Sequence, residues 1–328
     1  MGYATSQQLT RYYELYQNID VTFTKEVIST TRLIPSQIYI KALGGQWPCV
    51  INTTSMTGAK VIAGVKSGVY EKIQQGNTSV NLRFSFADPE KNEPISFFVS
   101  AKVTGINQYS GSPDLVLINL VYTQRAPDDL IEKLGQLLEA NINSTKRRED
   151  RILITPDAIR KIGIVQKETV VFIQGIPRRC ILRDLSFSGA KVIMVGIAQF
   201  LKEKDVVLRI DLEDPRTAVG IKGRIVRTED VENRKDLVAL AIQYLEGQVP
   251  MVYKMHINNF LSQQRAPARA GSPAADKTRA DGTDTARDDG EGKSAADTAR
   301  NDEDKPAPAG QDQQAEEAPA AAESDSQQ

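Results

Sequence analysis

Histidine, cysteine and tryptophan are scarce in this chain: its 328 residues include one histidine, two cysteines and one tryptophan. A zinc site built from several histidine and cysteine ligands therefore lacks its raw material. A Ser-His-Asp triad would have to use His256, which has no nucleophile motif nearby. The phosphate-binding patterns GxxxxGK(S/T) and GxGxxG are also absent. The sequence thus predicts a protein that is not an enzyme and that needs no metal or cofactor.

Long apolar runs and a signal-like leader are missing too. Without a run of about 18 apolar residues, no membrane-spanning helix is expected. Cys49 and Cys180 stand in apolar runs, which favours buried thiols in a reducing compartment over a disulfide framework. We therefore expect a soluble, cytoplasmic protein without membrane insertion.

Large apolar side chains disappear at the C-terminus. Residues 265–328 contain no Val, Ile, Leu, Met, Phe, Tyr, Trp or Cys and carry a net charge of −7, whereas residues 1–264 carry +6. A segment of this composition cannot bury enough surface to offset the entropy of an ordered chain. The sequence therefore predicts a disordered, acidic, Ala- and Asp-rich tail behind a folded part that is long enough for two cores.

The folded part repeats itself. Residues 49–62 align with residues 180–193 at an offset of 131, with seven identities in fourteen positions. Two later matches follow in the same order, starting at Val80 and at Asp114 of the first copy. Small changes of offset between matches are what loop-length differences produce, so the sequence predicts two copies of one fold.

Each copy has the pattern of short β-strands followed by a helix. Apolar and alternating runs between turn signals predict seven strands in the second copy, over 152–154, 170–173, 180–185, 190–195, 206–212, 221–227 and 237–244. Helical spacing predicts closing helices after residue 127 and over 249–261, and a leading helix over Ser6–Tyr16. The predicted fold class is mainly β: two tandem small antiparallel β-barrels, each closed by a C-terminal helix, plus the disordered tail.

These elements divide the chain into four parts. The first barrel domain is predicted over residues 1–140, and a polar, charged inter-domain linker over residues 141–151. The second barrel domain follows over residues 152–264, and the tail over residues 265–328.

Two short motifs bracket the start of the second copy. The linker ends with Arg147 and Arg151 in an RxxxR pattern, and Asp184, Ser186 and Gly189 form a DxSxxG pattern between two predicted strands. Together they resemble the PilZ family of cyclic-di-GMP receptors, which carries an RxxxR pair before its barrel and a (D/N)xSxxG turn between two early strands. The two-copy arrangement further resembles the two-domain PilZ proteins of spirochaetes. The resemblance implies a split-barrel fold and cyclic-di-GMP as the ligand.

The residue types suit that ligand, which has two phosphates and two guanines. Arginine engages phosphate oxygens or guanine O6 and N7 with a planar fork and stacks on purine rings. Asp184 can accept from guanine N1–H and N2–H₂, and Ser186 can donate to a phosphate. Gly189 would provide a positive φ or a close backbone approach that a Cβ would block. Arg148, beside the pair, is a further candidate contact.

The first copy departs from this pattern. Thr53 stands where the second copy has Asp184, and Arg11 is the one arginine near the position of the pair, although Ser55 and Gly58 remain. We therefore expect the first copy to keep the turn geometry without the ligand site, and to act as a structural or partner-binding module.

The leading functional prediction is a non-enzymatic receptor that binds cyclic-di-GMP and changes its inter-domain arrangement to regulate a protein partner. The resemblance suggests motility, envelope or virulence functions as outputs, without identifying the partner. Nucleic-acid binding through the basic linker is a second possibility, although a charge of +6 is modest and no aromatic residues alternate with the basic ones. A ligand-independent adaptor is a third.

Overall fold

The computed structural model describes residues 4–76, 78–232 and 234–265, and the acidic tail predicted over residues 265–328 lies, from residue 266 onward, outside the described residues. The first half of the described chain contains four helices and eight strands in this order: α1 (Ser6–Tyr16), β1 (Val21–Thr22), α2 (Lys25–Thr31), β2 (Tyr39–Ala42), β3 (Gly45–Pro48), β4 (Val50–Thr54), β5 (Gly58–Gly64), α3 (Val69–Gln74), β6 (Ser79–Phe86), β7 (Ile95–Gln108), β8 (Leu115–Tyr122) and α4 (Asp128–Lys146).

The second half has seven strands and two helices. In chain order they are β9 (Ile152–Leu153), α5 (Pro156–Ile162), β10 (Glu168–Ile173), β11 (Ile176–Leu185), β12 (Gly189–Val195), β13 (Asp205–Glu213), β14 (Arg216–Val231), β15 (Arg234–Tyr244) and α6 (Met251–Arg265). Within the described ranges, no helix combines the length and the apolar character needed to cross a membrane.

The second domain is a closed antiparallel barrel of six strands. Its strands follow the order β10, β13, β14, β15, β12, β11, and β11 pairs again with β10 to close the ring. Strand β9 pairs with the C-terminal end of β11, at Asp184 and Leu185. The predicted mainly-β class is confirmed.

The first domain repeats this topology with one interruption. Its order β1, β4, β5, β8, β7, β6, β2, β3 is that of the second domain if β3 and β4 together take the place of β11. The two strands are separated at Cys49, directly after Pro48, which has no backbone N–H to continue a ladder. The first domain is therefore a curled sheet, not a barrel closed by continuous pairing.

Each domain has its own apolar core, closed by a helix. Helix α4 contributes Leu130, Ile131 and Leu134 to the first core, and α6 contributes Ile257 and Phe260 to the second. Helix α4 extends into the segment 141–151 that was predicted as a linker. It continues through Lys146 and so includes the first six residues of that segment. The amide of Asn143 on this last stretch donates to Oδ1 of Asn258 on α6 at 2.7 Å.

Three short helices, α2, α3 and α5, were not predicted from the sequence. Helix α5 begins after Thr155, whose hydroxyl accepts from the Ala158 N–H, and ends at Gly163 with a φ of 76°. Helix α2 begins in the same way after Thr24. Helices of six or seven residues span no more than about two turns, so their apolar positions give no clear helical period.

Candidate functional site

The DxSxxG segment is a tight turn held together from within. The Ser186 N–H donates to the Gly189 carbonyl at 2.8 Å. The Ser186 hydroxyl oxygen accepts from the backbone N–H groups of Ser188 and Gly189 at 3.3 and 3.1 Å. Ser186 is fully buried. Its hydroxyl therefore fixes the shape of the turn, and a direct contact between that hydroxyl and a phosphate stays a prediction.

Gly189 serves close packing between strands. It does not adopt a positive φ, and a Cβ on this residue would overlap the carbonyl oxygen of Ile242 on β15. The sequence suggested two reasons for a glycine here, a positive φ and a close backbone approach. The second one applies, and the backbone that approaches Gly189 belongs to β15 of the same barrel.

A β-bulge sets the position of Asp184. The register of β11 against β12 shifts between Leu182 and Asp184, so Arg183 is the extra residue, and its carbonyl accepts from the Ile154 N–H at 2.9 Å. A bulge changes the direction in which neighbouring side chains point. As a result Asp184 is only 7% exposed, although it lies one residue from an exposed arginine.

The arginine motif reaches this turn because of strand pairing. Helix α4 ends at Lys146, and β9 pairs with β11 so that Leu153 lies opposite Asp184. Arg151, just before β9, donates from Nη1 to Oδ1 of Asp184 at 2.7 Å, with side-chain exposures of 47% and 10%. Residues from the RxxxR and DxSxxG motifs thus meet in one place.

Arg147 and Arg148 differ in their partners. Nη1 of Arg148 donates to Oε1 of Glu246 at 3.0 Å, and its carbonyl accepts from the Ser188 hydroxyl at 2.9 Å. Nη1 of Arg147 is buried and has no hydrogen-bond partner among the described residues. Since nearly all buried donors in proteins are paired, this guanidinium has a donor left for an acceptor that the described chain does not provide.

Two buried tyrosines support the turn from the interior, and neither was predicted to have a role there. The hydroxyl of Tyr253 on α6 donates to the Ser186 carbonyl at 2.8 Å, and the hydroxyl of Tyr244 lies 3.4 Å from that of Tyr253. Burial raises the pKa of Tyr253 well above its ordinary value, so this hydroxyl keeps its proton and remains a donor. The turn is therefore attached to α6 as well as to the barrel.

The first domain contains the same turn with different side chains. Ser55 N–H donates to the Gly58 carbonyl at 2.8 Å, as Ser186 does to Gly189, and the bulge before Thr53 matches the bulge before Asp184. Thr53 is therefore the counterpart of Asp184, as the sequence predicted.

The assignment of Arg11 to the position of the arginine pair was wrong. With the structural offset of 131, the counterparts of Arg147 and Arg151 are Tyr16 and Asp20, because β1 and β9 pair with the following strands in the same register. Arg11 lies earlier, on α1, with Nη2 3.8 Å from Oε1 of Glu139. The sequence comparison missed this because residues 16–20 share no identity with residues 147–151.

Sequence comparisons match each of the two domains to a family model. The family model described as "PilZN3 domain" matches residues 7–141, and the model described as "PilZ domain" matches residues 145–263. A protein of Treponema denticola named "Cyclic di-GMP binding protein" is 60% identical over 272 residues, which cover 83% of this chain and 87% of that protein.

Two solved structures share lower similarity. The PlzA protein of Borreliella burgdorferi, crystallised with c-di-GMP, is 22% identical with a TM-score of 0.36, and the match covers 78% of this chain and 98% of that one. YcgR of Escherichia coli, also in complex with c-di-GMP, is 12% identical with a TM-score of 0.25, over 74% and 87% of the two chains. By the two domain matches and the 60% identity to the Treponema denticola protein, the chain belongs to the PilZ family, with a PilZN3 domain followed by a PilZ domain.

Proposed function

We propose that this protein is a non-enzymatic receptor for cyclic-di-GMP, and that the dinucleotide binds to the PilZ domain between the segment 147–151 and the turn 184–189. The observation that carries the proposal is the 2.7 Å contact of Arg151 with Asp184, since it joins the two motifs into one polar site. The printed name of the Treponema denticola relative supports the same ligand.

The chemistry of the proposed complex follows from the partners that each group has without ligand. Arg147 offers its unpaired Nη1 to a phosphate or to guanine O6 and N7. Arg151 exchanges Asp184 for the ligand, which its half-exposed side chain can reach. Asp184 then accepts from guanine N1–H and N2–H₂ in place of the arginine.

The other three candidate residues have supporting roles in this proposal. Arg148 can leave Glu246 at little cost, because the Glu246 side chain is 80% exposed and such ion pairs are worth about 1 kcal/mol or less. Ser186 and Gly189 keep the turn in the shape that presents Asp184 to the ligand. Their substitution should therefore affect binding through the turn.

Ligand binding is proposed to draw the segment 147–151 against the turn and to change the arrangement of the two domains. Helix α6 provides a physical route. Its Tyr253 holds the Ser186 carbonyl, while the N–H of its first residue, Met251, donates to Oε1 of Glu26 on α2 at 2.5 Å. The proposed output is an altered surface for a regulated protein partner, in systems of the motility or virulence type.

Calorimetric titration of the full chain with cyclic-di-GMP tests the proposal. GTP and cyclic-di-AMP serve as ligand controls, and the Arg147→Ala/Arg151→Ala double variant as the protein control. We expect selective binding to the wild type and its loss in the double variant. Absence of binding to the wild type, or equal binding by the double variant, would overturn the proposed site.

A further inference from the structure

The outer surface of the first domain carries a cluster of aromatic and basic side chains. Strand pairing places Tyr39 on β2 opposite Arg83 on β6, and Arg83 opposite Phe98 on β7, so the three residues form one row across three strands. Lys41 follows Tyr39 on the same face of β2, by the alternation of buried and unburied residues. We name these four residues the β2–β6–β7 patch.

The side chains of the patch contact one another. The Arg83 guanidinium lies 5.2 Å from the centre of the Tyr39 ring, and the Lys41 ammonium 5.8 Å from the centre of the Phe98 ring. The two rings are 6.0 Å apart at an angle of 67°. Phe98 is 45% exposed, so part of its ring is accessible to a ligand.

The patch and its surroundings are positive. The neighbouring outward positions on β6 and β7 hold no carboxylate; they are Asn81, Ser96, Ser100 and Lys102. Among the described residues, Lys41, Arg83 and Lys102 have no acidic partner within 4.0 Å. Such cations are available to the phosphates of a ligand.

The second domain differs at the equivalent row. Strand pairing there aligns Arg209 with Gly220, and the outward positions of the neighbouring β10 hold Val170 and a half-buried Phe172, so the row has no exposed aromatic ring. Arg209 is also neutralised, because its Nε donates to Oδ1 of Asp211 at 2.9 Å. The combination of an exposed aromatic ring with cations that have no ion-pair partner therefore belongs to the first domain alone in this comparison and is no general requirement of the fold.

We propose that the β2–β6–β7 patch binds single-stranded nucleic acid. Unpaired bases stack on exposed aromatic rings while lysine and arginine hold the phosphates, and the combination tolerates any sequence. A duplex keeps its bases stacked inside and cannot use the rings, and an acidic peptide would use the cations but leave the rings uncovered. The sequence did not reveal the patch because its residues are spread over 60 positions and meet only through the register of the strands.

The experiment measures fluorescence anisotropy of labelled 20-nucleotide poly-U and poly-dT, with a 20-base-pair duplex as control, on the full chain at several salt concentrations. We expect single-strand binding that weakens as salt rises. Phe98→Leu keeps an apolar side chain but removes the ring, and should weaken binding about five- to a hundredfold. Arg83→Gln should weaken it as well, whereas Arg209→Gln, the matched variant on the second domain, should not.

The outcomes separate this site from the cyclic-di-GMP site. Phe98→Leu and Arg83→Gln should retain wild-type calorimetric binding of cyclic-di-GMP, which also verifies that they are folded. Whether poly-U or poly-dT binds more tightly distinguishes RNA from DNA as the natural ligand. The proposal is overturned if the wild type binds neither strand, if the duplex binds better than both, or if Phe98→Leu and Arg209→Gln behave alike. Displacement by polyglutamate together with insensitivity to Phe98→Leu would assign the patch to an acidic protein instead.

Discussion

Asp20 of the first domain occupies the position of Arg151 in the second. Each residue directly precedes a short strand, β1 or β9, that pairs with the strand leading into the serine turn. In the second domain the arginine donates to Asp184, whereas in the first domain the carboxylate of Asp20 accepts from Lys60 at 2.8 Å. The charge at this position is therefore reversed, and an anionic dinucleotide is expected at the second turn only.

Single substitutions should rank the arginines of the proposed site. Arg147→Ala and Arg151→Ala should each weaken cyclic-di-GMP binding about ten- to a hundredfold, because each arginine is proposed to make a bidentate contact with the ligand, worth about 1–3 kcal/mol. Arg148→Ala should have a smaller effect, since in the free protein this side chain is paired with Glu246. Calorimetric titration of the three variants measures the order.

The first domain supplies the controls. Arg11→Ala and Ser55→Ala should leave the affinity for cyclic-di-GMP unchanged, because both residues belong to the domain in which Asp20 and Thr53 stand in place of Arg151 and Asp184. A tenfold loss in either control variant would show that the first domain contributes to the ligand site.

The two turn glycines give a matched pair of stability experiments. A Cβ at Gly58 would lie 2.5 Å from the Leu120 carbonyl oxygen, and a Cβ at Gly189 would overlap the Ile242 carbonyl oxygen. Overpacking of this kind costs about 1–3 kcal/mol. We expect Gly58→Ala and Gly189→Ala to lower the urea midpoint of their own domain by comparable amounts, and only Gly189→Ala to weaken ligand binding as well. Equal losses of ligand affinity would contradict the separation of the two domains' roles.

Much of the fold and of the second site could be predicted because the relevant residues are close in sequence. The strands of the second domain were located from alternation, and the predicted strands over 170–173, 206–212 and 221–227 end at the observed bounds or up to five residues inside them. The RxxxR and DxSxxG motifs were likewise visible as local patterns.

Contacts between distant residues could not be predicted. Tyr253 reaches the Ser186 carbonyl from a helix 67 positions away, and nothing in its own segment signals a role at the turn. The break at Cys49 and the row of Tyr39, Arg83 and Phe98 depend on strand register, which periodicity does not give. The counterparts of Arg147 and Arg151 in the first domain could not be predicted because residues 16–20 share no identity with residues 147–151, and only the pairing of β1 and β9 identifies them.

The two thiols should be unreactive in the folded protein. Burial raises the pKa of both Cys49 and Cys180 to about 12, so at pH 8 their thiolate fraction is on the order of a thousandfold below that of an exposed cysteine of pKa about 8.5. Ellman's reagent should therefore modify neither thiol within minutes, and both after unfolding in urea. Fast reaction of the native protein at Cys180 would show that β11 separates from β10 at the position where Cys180 pairs with Thr169.

Tyr253→Phe should separate ligand binding from its effect on the first domain. The substitution keeps the buried ring but leaves the Ser186 carbonyl without its donor, at a cost of about 1–3 kcal/mol to the second domain. In the wild type, saturating cyclic-di-GMP should change the hydrogen exchange of α2, because Glu26 on α2 accepts from the first N–H of α6. In Tyr253→Phe the ligand should still bind at higher concentration, but the change in α2 should be reduced or lost.

The control for this experiment is Tyr122→Phe. Tyr122 occupies the place of Tyr244 in the first domain, where the Ser55 carbonyl accepts from the hydroxyl of the preceding residue, Thr54, and from no helix among the described residues. This variant should therefore lose some stability but keep the response of α2 to the ligand. If the Tyr253→Phe variant, saturated with cyclic-di-GMP, shows the full wild-type change in the hydrogen exchange of α2, then α6 does not carry the signal through the Ser186 carbonyl. The remaining contacts between α6 and α4, such as Asn258 with Asn143, would then be the route to examine, since they bypass the turn.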